Sequence, residues 1–146
     1  MRVLVVDDDP SVRGVVAVAL DTMQVLAADQ GNQALQMLRA ASVDVVLLDV
    51  GLPGIDGISV LSKIRAEKTC GNPVVLMLTG RVGELDHAVA FRAGADGYLT
   101  KPFEPADLED AVRTTAARSE EERRTARAEE LGRAEFLQHL EQGLFG

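Results

Sequence analysis

The sequence has little of three residue types on which particular functions depend. It contains no tryptophan, one tyrosine and one cysteine, Cys70. A single cysteine cannot form an intrachain disulfide, which is typical of proteins that stay in a reducing compartment. The scarcity of aromatic rings leaves little with which to stack nucleobases. We therefore expect a cytoplasmic protein that relies neither on disulfides nor on aromatic platforms.

The chain is also short of positive charge and of long apolar runs. It holds 23 acidic and 15 basic residues, a formal net charge of −8. Such a chain is repelled by phosphate backbones and by anionic lipids. No run reaches the roughly 18 apolar residues of a membrane span. We therefore expect no direct contact with nucleic acid and no membrane partner.

Short apolar runs, separated by helix-like segments, are what the sequence does have. Hydrophobic residues make up 47% of the 146 positions, enough for one domain with a core. The runs are continuous rather than alternating, which is typical of parallel strands buried on both faces. Five runs are predicted to be strands: 3–6, 25–28, 45–48, 74–78 and 97–99.

The segments between these runs carry helix signals. Asp9 can cap a helix that begins at Pro10, Asn32 can cap the next, and Gly94 can end the fourth. Five helices are predicted, beginning near Pro10, Asn32, Gly57, residue 84 and Pro105. Alternating strands and helices predict a doubly wound, flavodoxin-like α/β domain, for which 2-1-3-4-5 is a common strand order.

The composition changes near residue 118. Residues 118–146 hold five arginines and seven glutamates, and up to residue 130 their apolar residues are alanines alone. We expect a domain over 1–117 and, over 118–146, a helical extension that continues the fifth helix. Little is expected to hold residues 118–130 to the core. A short apolar seam follows at Leu137, Leu140 and Leu144. Two interpretations stay open. One is a solvated helical extension, and the other is a coiled-coil or signalling linker to a partner chain or to an output domain.

Polar side chains follow the predicted strands at the edge where open parallel sheets bind ligands. They are Asp7, Asp8 and Asp9 after the first strand, Asp49 after the third, Thr79 after the fourth and Lys101 after the fifth. Two carboxylates about 5 Å apart repel by roughly 3 kcal/mol at an effective dielectric near 20, and a cation relieves that repulsion. Hard oxygen ligands suit Mg²⁺. A carboxylate beside Mg²⁺ and a lysine can attack phosphorus and become an acyl phosphate.

Four motifs resemble the receiver domain of bacterial two-component response regulators. They are VLVVDDDP, VVLLDVGLPGIDG, VVLMLTG and GADGYLTKPF, and the resemblance runs from about Met1 to Ala117. It implies that Asp49 accepts a phosphoryl group from a histidine kinase or a histidine phosphotransfer protein. It also implies a signalling domain rather than an enzyme, with at most self-catalysed phosphotransfer and autodephosphorylation at Asp49.

The resemblance further implies a metal site. Asp8 would bind Mg²⁺, with Mn²⁺ as a substitute, directly, and Asp7 would bind it through water. Asp49 and the backbone carbonyl of Gly51 would complete the protein ligands. Gly51 and Gly80 replace the bulkier residues that are common in the family. We expect both glycines to leave the site open and the acyl phosphate short-lived.

The remaining matched positions would bind or report the phosphoryl group. Thr79 would donate a hydrogen bond to it and Lys101 would bind it as a cation. Tyr98 would turn inward when Thr79 moves. The peptide bond between Lys101 and Pro102 would be cis, which proline makes accessible.

Output is less determined by the sequence. Phosphorylation would change the face of helix 4, strand 5 and helix 5, and a homodimer could form there or through the C-terminal helix. The chain is either a stand-alone receiver or the receiver part of a larger regulator. The alternative is an unphosphorylated pseudo-receiver that acts as an interaction or dimerisation module. An FMN-binding flavodoxin and an aspartyl phosphatase are disfavoured, because acids replace a phosphate-cradling loop and no D-x-D-x-T motif follows the first strand.

Overall fold

Five parallel strands form one sheet in the order β2-β1-β3-β4-β5. The structure is a computed structural model and describes residues 1–81 and 83–145. The strands are β1 (Arg2–Val6), β2 (Gln24–Ala28), β3 (Val45–Asp49), β4 (Val74–Thr79) and β5 (Gly97–Thr100). The predicted fold class and strand order are confirmed.

Helices cover both faces of the sheet. They are α1 (Pro10–Ala19), α2 (Gly31–Ala40), α3 (Gly57–Ala66), α4 (His87–Ala93), α5 (Pro105–Ala116) and α6 (Glu120–Phe145), with a 3₁₀ turn at Lys68–Cys70. Apolar side chains of α1 and α5 pack on one face, and those of α2, α3 and α4 pack on the other. Every residue of β3 and β4 is buried, which explains why these runs are continuously apolar. Within the described ranges, no helix is both long and apolar enough to cross a bilayer.

Side-chain caps set several helix boundaries where the sequence predicts them. The Asp9 side chain accepts a hydrogen bond from the Ser11 amide at 2.8 Å, and Pro10 is the first residue of α1. Asp56 caps α3 in the same way. Gly94 ends α4 in the left-handed conformation, with φ of 106°, which glycine adopts without a steric cost.

Two predicted helix starts are wrong. Helix α2 begins at Gly31, so Asn32 lies inside the helix instead of capping it. The helical hydrogen bonds begin earlier than predicted, because the Ala34 amide donates to the Gln30 carbonyl at 3.2 Å. Gly31 also allows α3 to pack closely, since a Cβ there would lie 2.5 Å from Cγ2 of Val60. Helix α4 begins at His87, not at residue 84, because the carboxylate of Asp86 caps it.

Helix α6 departs most from the prediction. It does not continue α5, because α5 ends at Ala116 and Ser119 starts a new helix. The Ser119 amide donates to the Glu122 carboxylate, and the Ser119 hydroxyl accepts from the Glu122 amide, which is a capping box. Helix α6 then lies against α4. The seam is partly exposed, since Leu137 is 52% and Leu140 45% accessible, and the side chain of Leu144 lies outside the described residues.

A buried ionic cluster ties α6 to the sheet at the amino ends of β4 and β5. The side chain of Asp96 is 1% exposed and accepts hydrogen bonds of 3.0 Å from Nε and Nη2 of Arg123 and from Nη2 of Arg65. Arg123 also donates to the carbonyls of Asn72 and Pro73. Burial lowers the pKa of Arg65 to about 10, although Asp96 acts against this shift. The expectation that little holds this segment to the core is therefore wrong.

Gly57 begins α3 directly against the backbone that carries Asp49. A Cβ at Gly57 would overlap the Asp49 carbonyl and approach the Cα of Val50 to 2.9 Å. We predict that Gly57→Ala lowers the free energy of unfolding by about 2–3 kcal/mol, measured by urea denaturation. Gly14→Ala in α1 is the matched control, because a Cβ there meets no described atom within 4 Å, and alanine should stabilise that helix by up to about 1 kcal/mol. Equal stabilities of the two variants would contradict this packing.

Candidate functional site

Three carboxylates meet at the carboxyl edge of the sheet. Asp7, Asp8 and Asp49 each offer an oxygen, and these oxygens lie within 4.8 Å of one another. Parallel pairing places them there, because Val6 at the end of β1 lies opposite Leu48 in β3. Asp7 is fully buried, Asp49 is 5% exposed and Asp8 is exposed. The sequence-predicted acids are thus brought together.

Lys101 brings a positive charge to these carboxylates from the end of β5. Its Nζ lies 2.6 Å from Oδ2 of Asp7 and 3.3 Å from Oδ1 of Asp49. The following peptide bond, to Pro102, is cis. Burial lowers the pKa of Lys101, but its bonds to the two carboxylates outweigh this and raise it above its usual value. The ammonium is therefore charged beside Asp49.

The side chain of Asp49 is held in an electrostatic environment that favours binding of a cation. Burial and the neighbouring charge of Asp7 raise the pKa of Asp49, and Lys101 offsets this only in part. The Gly51 amide donates a hydrogen bond of 3.2 Å to Oδ1 of Asp49. A second cation close to this group would stabilise its charged form.

The oxygen donors fit a hard divalent cation. Oδ1 of Asp7 accepts a hydrogen bond from the Asp9 amide at 2.9 Å. Oδ2 of Asp7 is buried and forms an ion pair with Nζ of Lys101 at 2.6 Å. The three carboxylates together carry more negative charge than the Lys101 ammonium neutralises, so this cluster favours a further cation. Asp7, Asp8 and Asp49 could therefore hold Mg²⁺, which binds through a few carboxylates and keeps several waters.

Thr79 completes the set of groups at this edge. It ends β4, is 6% exposed, and its Oγ1 donates weakly to Oε2 of Glu84 at 3.4 Å and to the Arg81 carbonyl at 3.5 Å. Asp49 lies opposite Leu78 in the ladder, so Thr79 follows at the next position. A hydroxyl donor and an ammonium thus follow β4 and β5, the two strands on the side of β3 away from β1.

Sequence reasoning missed Glu84, whose carboxylate lies at the same edge. Its Oε2 accepts hydrogen bonds of 2.9 Å from the amides of Gly80 and Arg81. Its Oε1 would lie 2.9 Å from a Cβ at Gly51, so the space that was expected to be open beside Gly51 is taken. At Gly80 the nearest atoms to such a Cβ are 3.9 Å away. An acid after two glycines in a loop is the only sequence signal for this contact.

Tyr98 points outward from β5. Its side chain is 42% exposed, and its ring centroid lies 4.3 Å from that of His87 at the start of α4. The structure therefore places Tyr98 at the surface between β5 and α4. The inward turn that the resemblance implies stays a prediction.

Known protein families and relatives agree with the function class that this geometry indicates. The family model for the response regulator receiver domain matches residues 3–113. The DNA-binding response regulator MtrA of Mycolicibacterium smegmatis is 40% identical over 123 residues, which cover 83% of this chain and 53% of MtrA. The transcriptional regulatory protein CseB of Streptomyces coelicolor is 40% identical over 119 residues, 80% of this chain and 50% of CseB. The chain thus spans about half the length of these relatives.

Solved structures give the same picture. Chemotaxis protein CheY4 of Vibrio cholerae superposes with a TM-score of 0.73 at 30% identity, covering 78% of this chain and 97% of that one. The BeF3-activated DrrB receiver domain superposes with a TM-score of 0.71 at 31% identity, covering 80% and 97%. Each superposition covers about four-fifths of this chain.

The relatives overturn one prediction from composition. The net charge of −8 predicted no direct contact with nucleic acid, yet the MtrA proteins are named DNA-binding response regulators. A charge argument applies only to the residues that carry the charge, and roughly half of each such relative lies outside the matched segment. The prediction that nucleic acid is not a partner is therefore wrong.

Proposed function

The chain belongs to the response regulator receiver domain family, and from this we propose that it is a signalling domain whose Asp49 accepts a phosphoryl group. The observation that carries the proposal is the convergence of Asp49 with two further carboxylates and the Lys101 ammonium at one edge of the sheet. A pseudo-receiver would not need all of these groups. Their presence supports the phosphorylated function over that alternative.

The proposed donor is a phosphohistidine on a histidine kinase or a histidine phosphotransfer protein. A carboxylate oxygen of Asp49 attacks phosphorus, the P–N bond breaks, and its electron pair returns to the imidazole nitrogen. Lys101 stabilises the negative charge on the transferring group, and the Thr79 hydroxyl donates a hydrogen bond to it. Placing these groups beforehand is most of what phosphoryl transfer requires.

A divalent cation is part of the proposal. Asp7, Asp8, Asp49 and the carbonyl of Gly51 would hold Mg²⁺, with Mn²⁺ as a substitute. When bound, Mg²⁺ supplies charge neutralisation between the acidic side chains and the incoming phosphoryl oxygens. The chain's own residues hold it at the edge where Asp49 reacts.

The reaction is stoichiometric rather than a turnover of separate substrate. One phosphoryl group enters at Asp49, and water later removes it, so the activity is self-catalysed phosphotransfer and autodephosphorylation. The division into a domain over 1–117 and an extension over 118–146 remains a proposal, and the cytoplasmic location stays a prediction.

We propose that the signal leaves through the elements next to Thr79. The added charge and oxygens at Asp49 favour a state in which Thr79 and the β4–α4 loop move toward the phosphoryl group, with Tyr98 turning inward. This is a shift between two populations, biased by the phosphoryl group. The relatives named as DNA-binding support output within a larger regulator rather than a stand-alone receiver.

Exchange of neighbouring acids tests the proposed function. We predict that Asp8→Ala weakens Mg²⁺ binding by roughly tenfold or more, because a metal ligand is lost. It should also abolish the Mg²⁺-dependent binding of beryllofluoride, which mimics a phosphoryl group. Titration calorimetry measures the binding of Mg²⁺ and of beryllofluoride.

Asp9→Ala is the matched control for this experiment. Asp9 caps α1, so its loss should cost about 1 kcal/mol of stability and leave both affinities within about twofold. A wild-type protein that binds neither Mg²⁺ nor beryllofluoride would contradict the proposal, and so would equal losses in the two variants.

A further inference from the structure

The loop between β4 and α4 holds a carboxylate at the reactive edge. Glu84 accepts hydrogen bonds from the two successive amides of Gly80 and Arg81, both at 2.9 Å to Oε2. Oγ1 of Thr79 lies 3.4 Å from the same oxygen. Three donors at the end of β4 therefore converge on one carboxylate oxygen. Such charge-assisted bonds are stronger than those between neutral groups.

This carboxylate also reaches across to the loop after β3. Its other oxygen, Oε1, takes the space beside Gly51, two residues after Asp49. Asp49 lies opposite Leu78, and the Val50 amide donates to the Leu78 carbonyl at 2.9 Å, so the two loops are held side by side. Glu84 thus lies between the loop that follows the reactive carboxylate and the donors that follow β4.

An anion on Asp49 would need the donors that Glu84 now engages. The Thr79 hydroxyl and the first amides after β4 are the hydrogen-bond donors that face this edge from β4. Although burial raises the pKa of Glu84, the amides of Gly80 and Arg81 and the nearby Lys101 hold it below its usual value. Glu84 is therefore an anion at neutral pH, and two anions cannot share one set of donors.

We propose that Glu84 is an intramolecular competitor of the phosphoryl group. The Glu84 carboxylate has to leave the donors of Thr79, Gly80 and Arg81 before the phosphoryl group on Asp49 can engage them. The inference rests on the proposed function and adds a residue that sets how readily the site accepts its phosphoryl group. The apparent affinity for an anion is reduced by the fraction of molecules in which the donors are accessible. If Glu84 holds them for about nine-tenths of the time, the reduction is about tenfold.

The same contact gives Glu84 a place in the switch. As long as the Glu84 carboxylate accepts hydrogen bonds from the amides after β4, the β4–α4 loop binds this carboxylate instead of the phosphoryl group. Its departure releases the donors and opens the space beside Gly51 at once. The loop therefore has two alternative partners, and the phosphoryl group selects between them.

Removal of the carboxylate tests the inference. We expect Glu84→Ala to bind beryllofluoride about three- to tenfold more tightly than wild type in the presence of Mg²⁺. Glu84→Gln, which keeps the size and loses the charge, should shift the affinity in the same direction by less. Mg²⁺ affinity alone should stay within about twofold, since the clustered ligand oxygens belong to Asp7, Asp8 and Asp49.

Glu109→Gln is the matched control, because it removes the same charge from α5, where Glu109 pairs with Arg113. It should bind beryllofluoride as wild type does. An unchanged affinity in Glu84→Ala would overturn the inference. Weaker beryllofluoride binding would overturn it too, because Glu84 would then be organising the donors, and weaker Mg²⁺ binding would make Glu84 a metal ligand instead. If wild type and Glu109→Gln both fail to bind beryllofluoride, the proposed function itself fails.

Discussion

Arg123→Ala should lower the free energy of unfolding by about 3 kcal/mol, the lower end of the 3–5 kcal/mol that broken buried ion pairs cost. Arg123 and its partner Asp96 are both buried. The substitution removes two bonds to that carboxylate and two to the carbonyls of Asn72 and Pro73. Arg65 and the Val75 amide still contact Asp96, so its charge is not left entirely unpaired.

The loss should be felt first in α6. Arg123 lies in the first turn of that helix. Arg127 and Leu131 make partly buried contacts in its middle, and farther along it the contacts from Arg92 to Glu135 and from Gln138 to Asp86 are exposed. Exposed ion pairs stabilise little, so α6 should open locally before the sheet unfolds. Urea denaturation and amide hydrogen exchange measure the two effects separately.

Arg124→Ala provides the matched control for Arg123. It is the same substitution one position along α6, at an exposed residue, and should change stability by no more than about 0.5 kcal/mol. Equal stability and equal exchange in the two variants would show that the buried cluster does not hold α6 in place.

The sheet and its reactive edge could be predicted from local patterns. Continuous apolar runs such as 45–48 indicate strands covered on both faces, and a parallel sheet brings all its carboxyl ends to one edge. The side chains that follow the runs, Asp49 and Lys101 among them, must then lie close together. The proximity of these side chains can therefore be predicted without knowing any long-range contact.

Helix α6 could not be predicted in the same way, because its anchor depends on tertiary contacts. Arg123 stands in a run of charged residues that resembles a solvated helix, and its carboxylate partner, Asp96, is 27 residues away. The contacts of Glu84 could not be predicted for a related reason. It follows a loop whose amides are turned toward it, and the apolar spacing around it favours a helix.

The error about nucleic acid has a different origin. Net charge describes the field of the residues that are counted, and it says nothing about segments that are outside them. The relatives that carry a DNA-binding name are about twice as long as the matched segment. A charge of −8 therefore describes this chain and not the regulators to which it is similar.

Asp49→Asn should abolish phosphorylation, because the amide keeps the size of the side chain but lacks the nucleophilic carboxylate. Asp7 is also buried and also contacts Lys101, but it is fully closed to solvent, whereas Asp49 is 5% exposed and lies at the end of β3, beside the strand that ends in Thr79. Asp21→Asn, at an exposed position after α1, removes the same charge outside the site and should react as wild type does.

The most direct test is intact-mass spectrometry after incubation with acetyl phosphate and Mg²⁺. Wild type and Asp21→Asn should each gain one phosphoryl group, and this gain should disappear when Mg²⁺ is chelated. Asp49→Asn should gain none. A wild-type protein that never gains the group, or an Asp49→Asn protein that gains it equally, would contradict the assignment of Asp49 as the phosphoacceptor.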